Sequence, residues 1–455
     1  MAPPSLPHEK STQPFWLTAP ENLHDYRSTE SLPNKVDIVI VGGGYCAAAL
    51  ITHVLEQSGQ NPPSILVLEA RQLASGATGR NGGHIKPDPY WHASHLVEQH
   101  GFEAAMELAQ FETDNLNAVK AYVEKERIDC DLIVTRSCDV HFSHQRHDKA
   151  KAALSKFQAA GVRASQDAFE VGPKYAETVS GVKGAKGCIT FPAAHLWPYK
   201  LVHHLFQRAV RLGVNLQSNT PVLKIADSPD SAGRWTLATA RGKVSAAKVV
   251  VATNAYTAAL LPEYKDQIIP YRATSCHITT SGTAPLLTNT YALRFTDWDH
   301  DYLIPRPDGS IIVGGARSVY YHDKDAWYNN SDDSTLVEEA RKYFDDYMQR
   351  HFIGWEDSGA HVEKIWTGIM GYSRDRLPRV GPIPGRQGMF IMAGWTGHGM
   401  PQIFLSAKGM ASMIVDGISF RETGIPRIFE ETQDRLTDAR NKVLETWEAA
   451  FQPKL

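Results

Sequence analysis

The chain has 455 residues, of which 42% are hydrophobic, and a formal net charge of -3 at pH 7. This length predicts two domains, and the hydrophobic content is ample for a core in each. The charge forms no basic stripe or run, so nucleic acid is excluded as a partner. Neither the first 34 residues nor any later window has the apolar length of a signal peptide or a membrane span, so we expect a soluble, intracellular, cytoplasmic protein with no membrane partner.

Cysteine usage and the C-terminal tail bear on the compartment. The five cysteines, Cys46, Cys130, Cys138, Cys188 and Cys276, are widely spaced and include no CxxC pair and no Cys/His cluster. They predict a reducing compartment and no metal site. The tail Pro453-Lys454-Leu455 differs from the peroxisomal address Ser-Lys-Leu only in its first residue. A weak peroxisomal signal and a chance tail both stay open.

The first chemical motif is a glycine-rich turn between a predicted strand and a predicted helix. A buried-strand pattern over 36–41 leads into Gly42, Gly43 and Gly44, and an apolar helical stretch follows to Leu55. A second strand pattern over 65–68 ends at Glu69, where a carboxylate can accept hydrogen bonds from an adenosine ribose. The helix N-terminus behind the glycines suits a pyrophosphate. The motif predicts a dinucleotide site and leaves NAD and FAD open.

The remaining patterns alternate in a way that predicts two interleaved domains. Helices are expected at 96–126, 145–160, 198–212 and 334–351, a β-rich stretch at 272–316, and strands at 221–226, 248–252, 361–366 and 389–393. The predicted fold class is α/β, with a Rossmann-type nucleotide-binding domain interleaved with a smaller, β-sheet-rich α+β substrate domain. The predicted ranges are 35–90, 198–262 and 361–420 for the nucleotide domain, 91–197 for a helical and mixed bridging segment, 263–360 for the substrate domain, and 1–34 and 421–455 for terminal extensions.

Four sequence blocks resemble one known family in its own order. They are VGGGYCA at 41–47 with LEAR at 68–71, SGATGRNGG at 75–83, VVVATNAY at 249–256, and the stretch 366–400 from WTGIMGYS to GWTGHGM. This pattern resembles the D-amino-acid-oxidase-like FAD-dependent oxidoreductases over roughly residues 36–417. The block at 75–83 is most similar to the amine-oxidising branch typified by γ-glutamylputrescine oxidoreductase. The resemblance implies an FAD-binding flavoprotein in which FAD is bound non-covalently.

The resemblance also implies which residues hold the cofactor. Small residues in 78–83 let the backbone approach a flat ring, and the side chains of Arg80 and Asn81 are expected to donate hydrogen bonds. Val222 would contact adenine through its backbone, residues 252–254 would pass beneath the nucleotide, and the turn 394–399 would lie at the pyrimidine edge of the flavin, where a helix N-terminus stabilises negative charge. The implied cofactor residues are Gly42, Gly43, Gly44, Tyr45, Cys46, Glu69, Ala70, Arg71, Gly76, Ala77, Thr78, Gly79, Arg80, Asn81, Gly82, Gly83, Val222, Ala252, Thr253, Asn254, Gly394, Trp395, Thr396, Gly397, His398, Gly399 and Met400.

One departure from the family pattern bears on the substrate. Amino-acid oxidases of the family resemble one another in a G-(I/F)-R-P strand whose arginine binds the α-carboxylate, but here Met370 follows Gly368 and Ile369. Methionine cannot make the two parallel charge-assisted hydrogen bonds of a guanidinium. This favours a small-molecule amine over a free α-amino acid, although Arg306 or Arg317 could bind a carboxylate in another pose. The catalytic and substrate-pocket candidates, each also compatible with a structural role, are His84, Tyr302, Arg317, Met370 and His398.

The expected reaction is oxidation of a C–N bond. A neutral amine binds against the flavin, its α-hydrogen moves as hydride to N5, and the imine hydrolyses; desolvation of the amine removes the need for a dedicated base. The electron acceptor, O2 or another molecule, stays open. The alternatives are an amino-acid or N-methyl-amino-acid oxidase and a catalytically inactive flavin-binding protein. A flavin hydroxylase is disfavoured, because the C-terminal turn reads GWTGHG without a Gly-Asp pair.

Overall fold

The computed structural model describes residues 5–451, and its strands within that range form one eight-stranded and one nine-stranded sheet. In chain order the strands are β1 (Lys35–Val41), β2 (Ile65–Leu68), β3 (His84–Ile85), β4 (Ile133–His141), β5 (Phe169–Val171), β6 (Gly187–His195), β7 (Asn215–Gln217), β8 (Val222–Ile225), β9 (Trp235–Thr239), β10 (Gly242–Val251), β11 (Ile268–Thr279), β12 (Thr290–Arg294), β13 (His300–Pro305), β14 (Ile311–Gly315), β15 (His361–Ser373), β16 (Arg379–Pro382) and β17 (Met389–Ala393). The α-helices are α1 (Tyr45–Ser58), α2 (Trp91–Glu126), α3 (His144–Ala159), α4 (Arg163–Gln166), α5 (Ala176–Ser180), α6 (Pro198–Arg211), α7 (Arg317–Tyr320), α8 (Lys324–Trp327), α9 (Glu338–Tyr343), α10 (Tyr347–His351), α11 (Ile403–Val415), α12 (Gln433–Thr437) and α13 (Lys442–Phe451).

The first sheet has the order β16-β17-β10-β1-β2-β7, with β9 joined to β10 and β8 to β9. Strands β17, β10, β1, β2 and β7 run parallel, and Val39 of β1 lies between Val249 of β10 and Leu66 of β2. The sheet is buried on both faces: Ile38 and Ile40 pack with residues of α1, α6 and α11 in one core, and Val39 and Val41 pack with residues of β8 and β9 in another. The carboxyl ends of β1, β2 and β10 therefore meet at one edge, where ligands bind in such sheets.

The second sheet has the order β15-β11-β14-β13-β12-β4-β6-β3, with β5 paired to β6. Its longest ladder joins β11 to β15 in antiparallel register from Ile268↔Ser373 to Thr279↔His361. Strands β13 and β14, within the predicted β-rich stretch, form a hairpin whose turn contains Gly309 at φ 84°. The predicted α/β fold with two sheets is confirmed.

The predicted domain ranges stay predictions, but the sheet pairing adds detail to two of them, and one predicted helix is interrupted. Strand β15 pairs along its length in the second sheet, although 361–420 was predicted to belong to the nucleotide domain, and the bridging range 91–197 supplies β4, β5 and β6 to that same sheet. The helix predicted over 334–351 is interrupted between α9 and α10, because Asp346 adopts a left-handed backbone with φ 51°. A local apolar pattern does not tell which sheet a strand joins.

Both stretches predicted as terminal extensions pack onto the rest of the molecule. Near the N-terminus, Trp16 is fully buried and its Nε1 donates to the carbonyl of Asn81 at 2.5 Å. Near the C-terminus, the Nε1 of Trp447 on α13 donates to the carbonyl of Tyr321 at 2.8 Å. The tail Pro453-Lys454-Leu455 lies outside the described residues. Within residues 5–451, the helices are all too short or too polar to cross a membrane.

Candidate active site

A cavity of about 970 Å³, including its open mouth, lies at the edge where β1, β2 and β10 end. It joins the glycine turn, the end of β2, the loop after β2 and the end of β10. Of the predicted cofactor residues it is lined by Gly42, Gly43, Gly44, Tyr45, Cys46, Glu69, Ala70, Arg71, Gly76, Ala77, Thr78, Val222, Ala252, Thr253, Asn254 and Trp395. Leu6 and Pro7, from the N-terminal stretch, line it as well.

The glycine turn brings bare backbone to the cavity wall. Gly42 has φ 106°, and a Cβ there would lie 2.7 Å from the carbonyl oxygen of Ala252. A Cβ on Gly43 would lie 2.9 Å from a methyl group of Leu73 and 3.1 Å from the Cβ of Glu69. The amide of Tyr45, the first residue of α1, donates to the hydroxyl of Thr78 at 3.0 Å. The turn thus brings the N-terminus of α1 and the Thr78 hydroxyl to the cavity wall, an arrangement suited to a pyrophosphate.

Glu69 connects this turn to the end of β2. Its Oε2 accepts from the amide of Gly43 at 2.6 Å, and its Oε1 accepts from the amide of Arg71 at 2.8 Å. Each carboxylate oxygen has a further lone pair, so both can also accept from a ribose hydroxyl. The carboxylate is therefore held in place by main-chain donors before any ligand arrives.

Side chains of the loop 75–83 hydrogen-bond to protein carbonyls. The sequence analysis expected two of these side chains, Arg80 and Asn81, to donate to the cofactor. Arg80 is buried and donates from Nε to the carbonyl of Ser75 at 2.8 Å and from Nη1 to the carbonyl of Thr367 at 2.7 Å. Asn81 donates to the carbonyls of Ala77 and Thr78 at 3.2 and 3.0 Å. Both side chains thus have carbonyl partners within the protein, which satisfies those buried acceptors, and their donation to the cofactor stays a prediction. The backbone of the loop is still available to a ligand.

Arg71 is a second predicted cofactor residue whose charge has a partner in the protein. Its Nη1 lies 3.1 and 3.0 Å from the two carboxylate oxygens of Asp333, and it also donates to the carbonyl of His8 at 3.1 Å. Asp333 is 1% exposed and lies 3.6 Å from the Nε of Arg80 as well. One buried carboxylate thus anchors both arginines beside the cavity.

The C-terminal turn reaches the cavity through Asn254. The amides of Gly394 and Trp395 donate to the side-chain oxygen of Asn254 at 3.0 and 3.4 Å. Two left-handed residues, Thr396 at φ 52° and Gly397 at φ 74°, follow. Helix α11 begins only at Ile403, three residues after the buried Met400 and four after Gly399. Gly79, Gly82 and Gly83, like residues 396–400, lie outside the cavity wall described above.

His398 faces a buried carboxylate. Its Nε2 lies 3.0 Å from Oε2 of Glu112, which also accepts from the amide of Asp88 at 2.8 Å, while Oε1 accepts from the Nε2 of Gln402 at 2.7 Å. Burial by itself lowers the pKa of His398, but the Glu112 carboxylate outweighs that effect and raises the pKa above its ordinary value. The Glu112 carboxylate thus favours the protonated form of His398 next to the C-terminal turn.

His84 and Tyr302 lie beside the loop 75–83. The Nε2 of His84 lies 2.7 Å from the hydroxyl of Thr290, and burial, with the charge of Lys86, holds the His84 pKa well below its usual value. The ring of Tyr302 lies so close to the backbone that a Cβ on Gly82 would meet it at 2.2 Å. The Tyr302 hydroxyl is 3.0 Å from the hydroxyl of Ser275. His84 is thus neutral, and Tyr302 is a packing partner of the loop.

Met370 and the two candidate arginines occupy different places. A Cβ on Gly397 would lie 3.0 Å from the sulfur of Met370, so Met370 borders the C-terminal turn. Arg306 is paired with Asp131 at 2.6 Å, and its guanidinium lies over the rings of Trp16 and Trp197, so it is structural. Arg317 donates to the hydroxyl of Tyr372 at 3.1 Å, which also borders Gly397.

Sequence reasoning missed Glu112 and a second buried charge cluster. In that cluster Asp139 lies 3.0 Å from the Nζ of Lys86 and 2.7 Å from an Nη of Arg294, and accepts from the hydroxyl of Tyr90 at 3.0 Å. Glu112 carried one usable signal: it falls on the apolar face of α2 with Leu108, one turn earlier. A carboxylate there needs partners. No group of three or more His, Cys, Asp or Glu side chains suited to a metal ion occurs in residues 5–451.

The parallel sheet, the glycine turn and the carboxylate at the end of β2 define a dinucleotide-binding protein of the Rossmann type, here combined with a second sheet. The family model described as "FAD dependent oxidoreductase", DAO, matches residues 37–413, and the chain belongs to that family.

Individual relatives are distant but cover most of the chain. The chain is 23% identical over 385 residues to the γ-glutamylputrescine oxidoreductase of Escherichia coli (strain K12). The aligned region covers 83% of this chain and 83% of that protein. It is 26% identical over 296 residues to the 4-methylaminobutanoate oxidase (formaldehyde-forming) of Paenarthrobacter nicotinovorans, covering 63% of this chain and 32% of that protein. The crystal structure of glycine oxidase from Geobacillus kaustophilus shares the fold, with a TM-score of 0.70 at 18% identity over 88% of this chain and 99% of that one.

Proposed function

We propose that this protein is an FAD-dependent oxidoreductase that oxidises the C–N bond of an amine in which no carboxylate is attached to the reacting carbon. The observation that carries the proposal is the position of Met370, which borders the C-terminal turn. Met370 stands where the strand of the family's amino-acid oxidases has an arginine that binds the substrate carboxylate. A thioether cannot neutralise a carboxylate. The names of two relatives, γ-glutamylputrescine oxidoreductase and 4-methylaminobutanoate oxidase, also denote amines.

The cavity residues suit FAD because they combine bare backbone with one fixed carboxylate. The glycine turn and the α1 N-terminus would hold the pyrophosphate, and Glu69 the adenosine ribose. Ala252 and Asn254 would lie beneath the nucleotide, with Val222 at the adenine. When bound, FAD supplies a two-electron acceptor for the hydride of the carbon next to nitrogen, and the imine left on the substrate is hydrolysed to a carbonyl compound and an amine or ammonia.

The chain's own part in the reaction is to position the amine and to set the local charge. His84 is neutral, so it adds no positive charge that would repel an ammonium substrate. Desolvation in the pocket lowers the pKa of the bound amine and favours the neutral form that can lose hydride. His398 lies in the turn 394–399, and Glu112 favours its protonated form, whose N–H groups would stabilise negative charge on the reduced cofactor.

Non-covalent attachment is supported by the state of the possible linking groups. The Nε2 atoms of His84 and His398 already have partners in Thr290 and Glu112. Cys46 lines the cavity, but burial raises its pKa to about 12, which keeps it a thiol rather than a nucleophilic thiolate. The free, buried cysteines of residues 5–451 also suit the reducing intracellular compartment expected from the sequence.

The test is anaerobic reduction of the bound cofactor, followed by reoxidation. The purified protein should be yellow, and acid precipitation should release all of its flavin. Primary and N-methylated amines should bleach the flavin absorption faster than glycine, sarcosine or D-alanine. Admission of O2, compared with a dye acceptor, then distinguishes an oxidase from a dehydrogenase. A colourless protein would overturn the proposal, and so would faster reduction by α-amino acids.

The amino-acid or N-methyl-amino-acid oxidase alternative now depends on Arg317, since Arg306 is paired with Asp131. Efficient, saturable turnover of sarcosine or proline would favour it. A yellow protein that stays oxidised with every amine and amino acid would instead favour the inactive flavin-binding alternative.

A further inference from the structure

Arg317 is a partly buried cation whose neighbours are aromatic rather than acidic. Its Nη2 donates to the hydroxyl of Tyr372 at 3.1 Å, its Nη1 reaches the carbonyl of Trp298 at 3.4 Å, and its guanidinium lies 5.5 Å from the ring centre of Tyr271. No carboxylate of residues 5–451 lies within salt-bridge distance of it. A guanidinium has five N–H donors, so most of its hydrogen-bonding capacity is left for a ligand.

Three other buried arginines of this chain have a carboxylate partner. Arg71 pairs with Asp333, Arg294 with Asp139, and Arg379 with Glu431, at 3.0, 2.7 and 2.9 Å. A buried charge without a partner is costly, so proteins pair such charges unless a ligand supplies the counter-charge. Arg317 differs from these three, and also from the buried Arg272, which has no carboxylate partner within the described residues but donates to the carbonyl and hydroxyl of Thr335.

The nearest carboxylate on the same hairpin is already used to shape the turn that carries Arg317. Asp301 accepts from the amide of Ala316 at 2.9 Å and from the hydroxyls of Tyr343 and Tyr347 at 2.6 and 2.9 Å. Ala316 is held at φ 63°, a left-handed conformation that is strained for any residue except glycine. Strain of this kind persists where the surroundings enforce it, and it is typical of functional sites.

Asp299 is the other acidic group whose charge acts on Arg317. Burial, followed by the charge of Asp301, raises the pKa of Asp299 to about 6. A pKa near 6 leaves Asp299 mostly deprotonated at neutral pH, yet it makes no salt bridge with Arg317 in the described residues. The guanidinium is therefore not held by a carboxylate of residues 5–451, and an anionic ligand could pair with it.

Tyr372 connects Arg317 to the C-terminal turn. A Cβ on Gly397 would lie 3.0 Å from the sulfur of Met370 and 3.1 Å from the hydroxyl of Tyr372. The same hydroxyl accepts a hydrogen bond from Arg317. Because the proposed substrate carries no carboxylate on its reacting carbon, an anion bound by Arg317 would belong to another part of the molecule.

We propose that Arg317 and Tyr372 form a subsite for the distal carboxylate of an ω-amino acid, which anchors the far end of the substrate while its C–N bond is oxidised at the turn. This rests on the proposed amine oxidation. Arg317 supplies a bidentate donor and Tyr372 a third hydrogen bond, and Asp301 is a positioning residue that acts through the Ala316 turn. The subsite explains how a site with Met370 in place of the family's arginine can still select carboxylated substrates, with the carboxylate at the other end.

The first experiment compares matched substrates on the wild-type holoenzyme. We expect 5-aminopentanoate to have a kcat/KM about ten- to hundredfold higher than pentan-1-amine, the range for hydrogen bonds to a charged group. The same comparison across shorter and longer ω-amino acids, and their N-methyl forms, should show an optimum length. Equal kcat/KM values for the carboxylated and neutral amines at every length would overturn the subsite and leave amine oxidation intact, whereas no reduction by any amine would overturn the proposed function itself.

The second experiment removes the cation. In Arg317→Gln the ratio of kcat/KM for the carboxylated amine to that for the neutral amine should fall to about one, mostly through a higher KM for the carboxylated amine. Arg341→Gln is the matched control, because Arg341 is exposed on α9 and pairs only with Glu338. It should leave the preference unchanged, which excludes a long-range charge effect.

Binding without turnover gives an independent readout. Pentanoate, a carboxylate that lacks the amine, should perturb the flavin absorption of the wild-type enzyme, and Arg317→Gln should weaken its binding by about tenfold or more. If Arg317→Gln does not fold, Tyr372→Phe keeps the ring, removes one donor and should weaken pentanoate by a smaller factor. Unchanged pentanoate binding in whichever variant folds would overturn the proposal.

Discussion

The glycine turn 42–44, which is the proposed nucleotide end of the site, and the C-terminal turn 394–399, which is the proposed substrate end, are built from different groups. At the nucleotide end the main chain makes the contacts: Glu69 accepts from the amide of Gly43, 26 positions away, and a Cβ on Gly42 would press on the carbonyl of Ala252. At the substrate end side chains meet across the chain, as His398 and Glu112 do over 286 positions. Substitutions can therefore change the substrate end without changing cofactor binding, while the nucleotide end tolerates few changes.

The largest effect is expected from Asp333→Ala, which removes the carboxylate shared by Arg71 and Arg80. Two buried guanidinium groups then lack a counter-charge beside the cavity, and the free energy of unfolding should fall by about 3–5 kcal/mol. Denaturant unfolding measures this. Asp333→Asn keeps the shape and some hydrogen bonds, so it should cost less. Equal losses in the two variants would mean that the charge of Asp333 is unimportant.

The second prediction tests the nucleotide end. Glu69→Ala removes the expected ribose acceptor and the acceptor of the Gly43 amide, and should weaken FAD binding by about 1.5–3 kcal/mol. FAD titration of the apoprotein measures it. Glu124→Ala, at an exposed position of α2, is the control for a lost carboxylate. Unchanged FAD affinity in Glu69→Ala would show that Glu69 does not hold the cofactor.

The third prediction tests the substrate end alone. Met370→Arg introduces a charge beside Gly397 and near Arg317, and should lower kcat/KM for the best amine by about tenfold or more, because the new charge lacks a partner. Binding of small carboxylate inhibitors should rise, and FAD affinity should not change. Met370→Leu, with a similar volume, should be close to wild type. A loss of FAD in Met370→Arg would contradict the separation of the two ends.

The smallest effect concerns the His398–Glu112 pair. The pKa of His398 is raised in the folded protein, so the stability it contributes is fully present below its ordinary pKa and is lost as the pH rises through the raised value. Glu112→Gln should therefore destabilise the protein by about 1 kcal/mol more at pH 6 than at pH 9. Unfolding at both pH values measures it. In a His398→Gln background the same substitution should show no such pH dependence; if it does, another group is responsible.

The parts of the site that the sequence predicted are those made by neighbouring residues. The strand, the glycines and Glu69 form a local motif whose backbone chemistry needs glycine, so the lining of the cavity by residues 42–46 followed from the pattern. Arg80 could not be placed in this way, because the carbonyl of Thr367 that it binds lies 287 positions away. The same holds for β15, whose partner strand β11 is set by long-range pairing.

The sequence by itself determined the family, the Rossmann-type sheet and the cofactor class, since these depend on short-range periodicity and on where glycine and carboxylate follow a strand. Only the tertiary structure decided which charges are available to a ligand. Arg306 and Arg317 look alike in the sequence, yet folding brings Asp131 to Arg306 and surrounds Arg317 with tyrosines. Whether a charge is paired depends on residues brought together by packing, and that information is not local to either arginine.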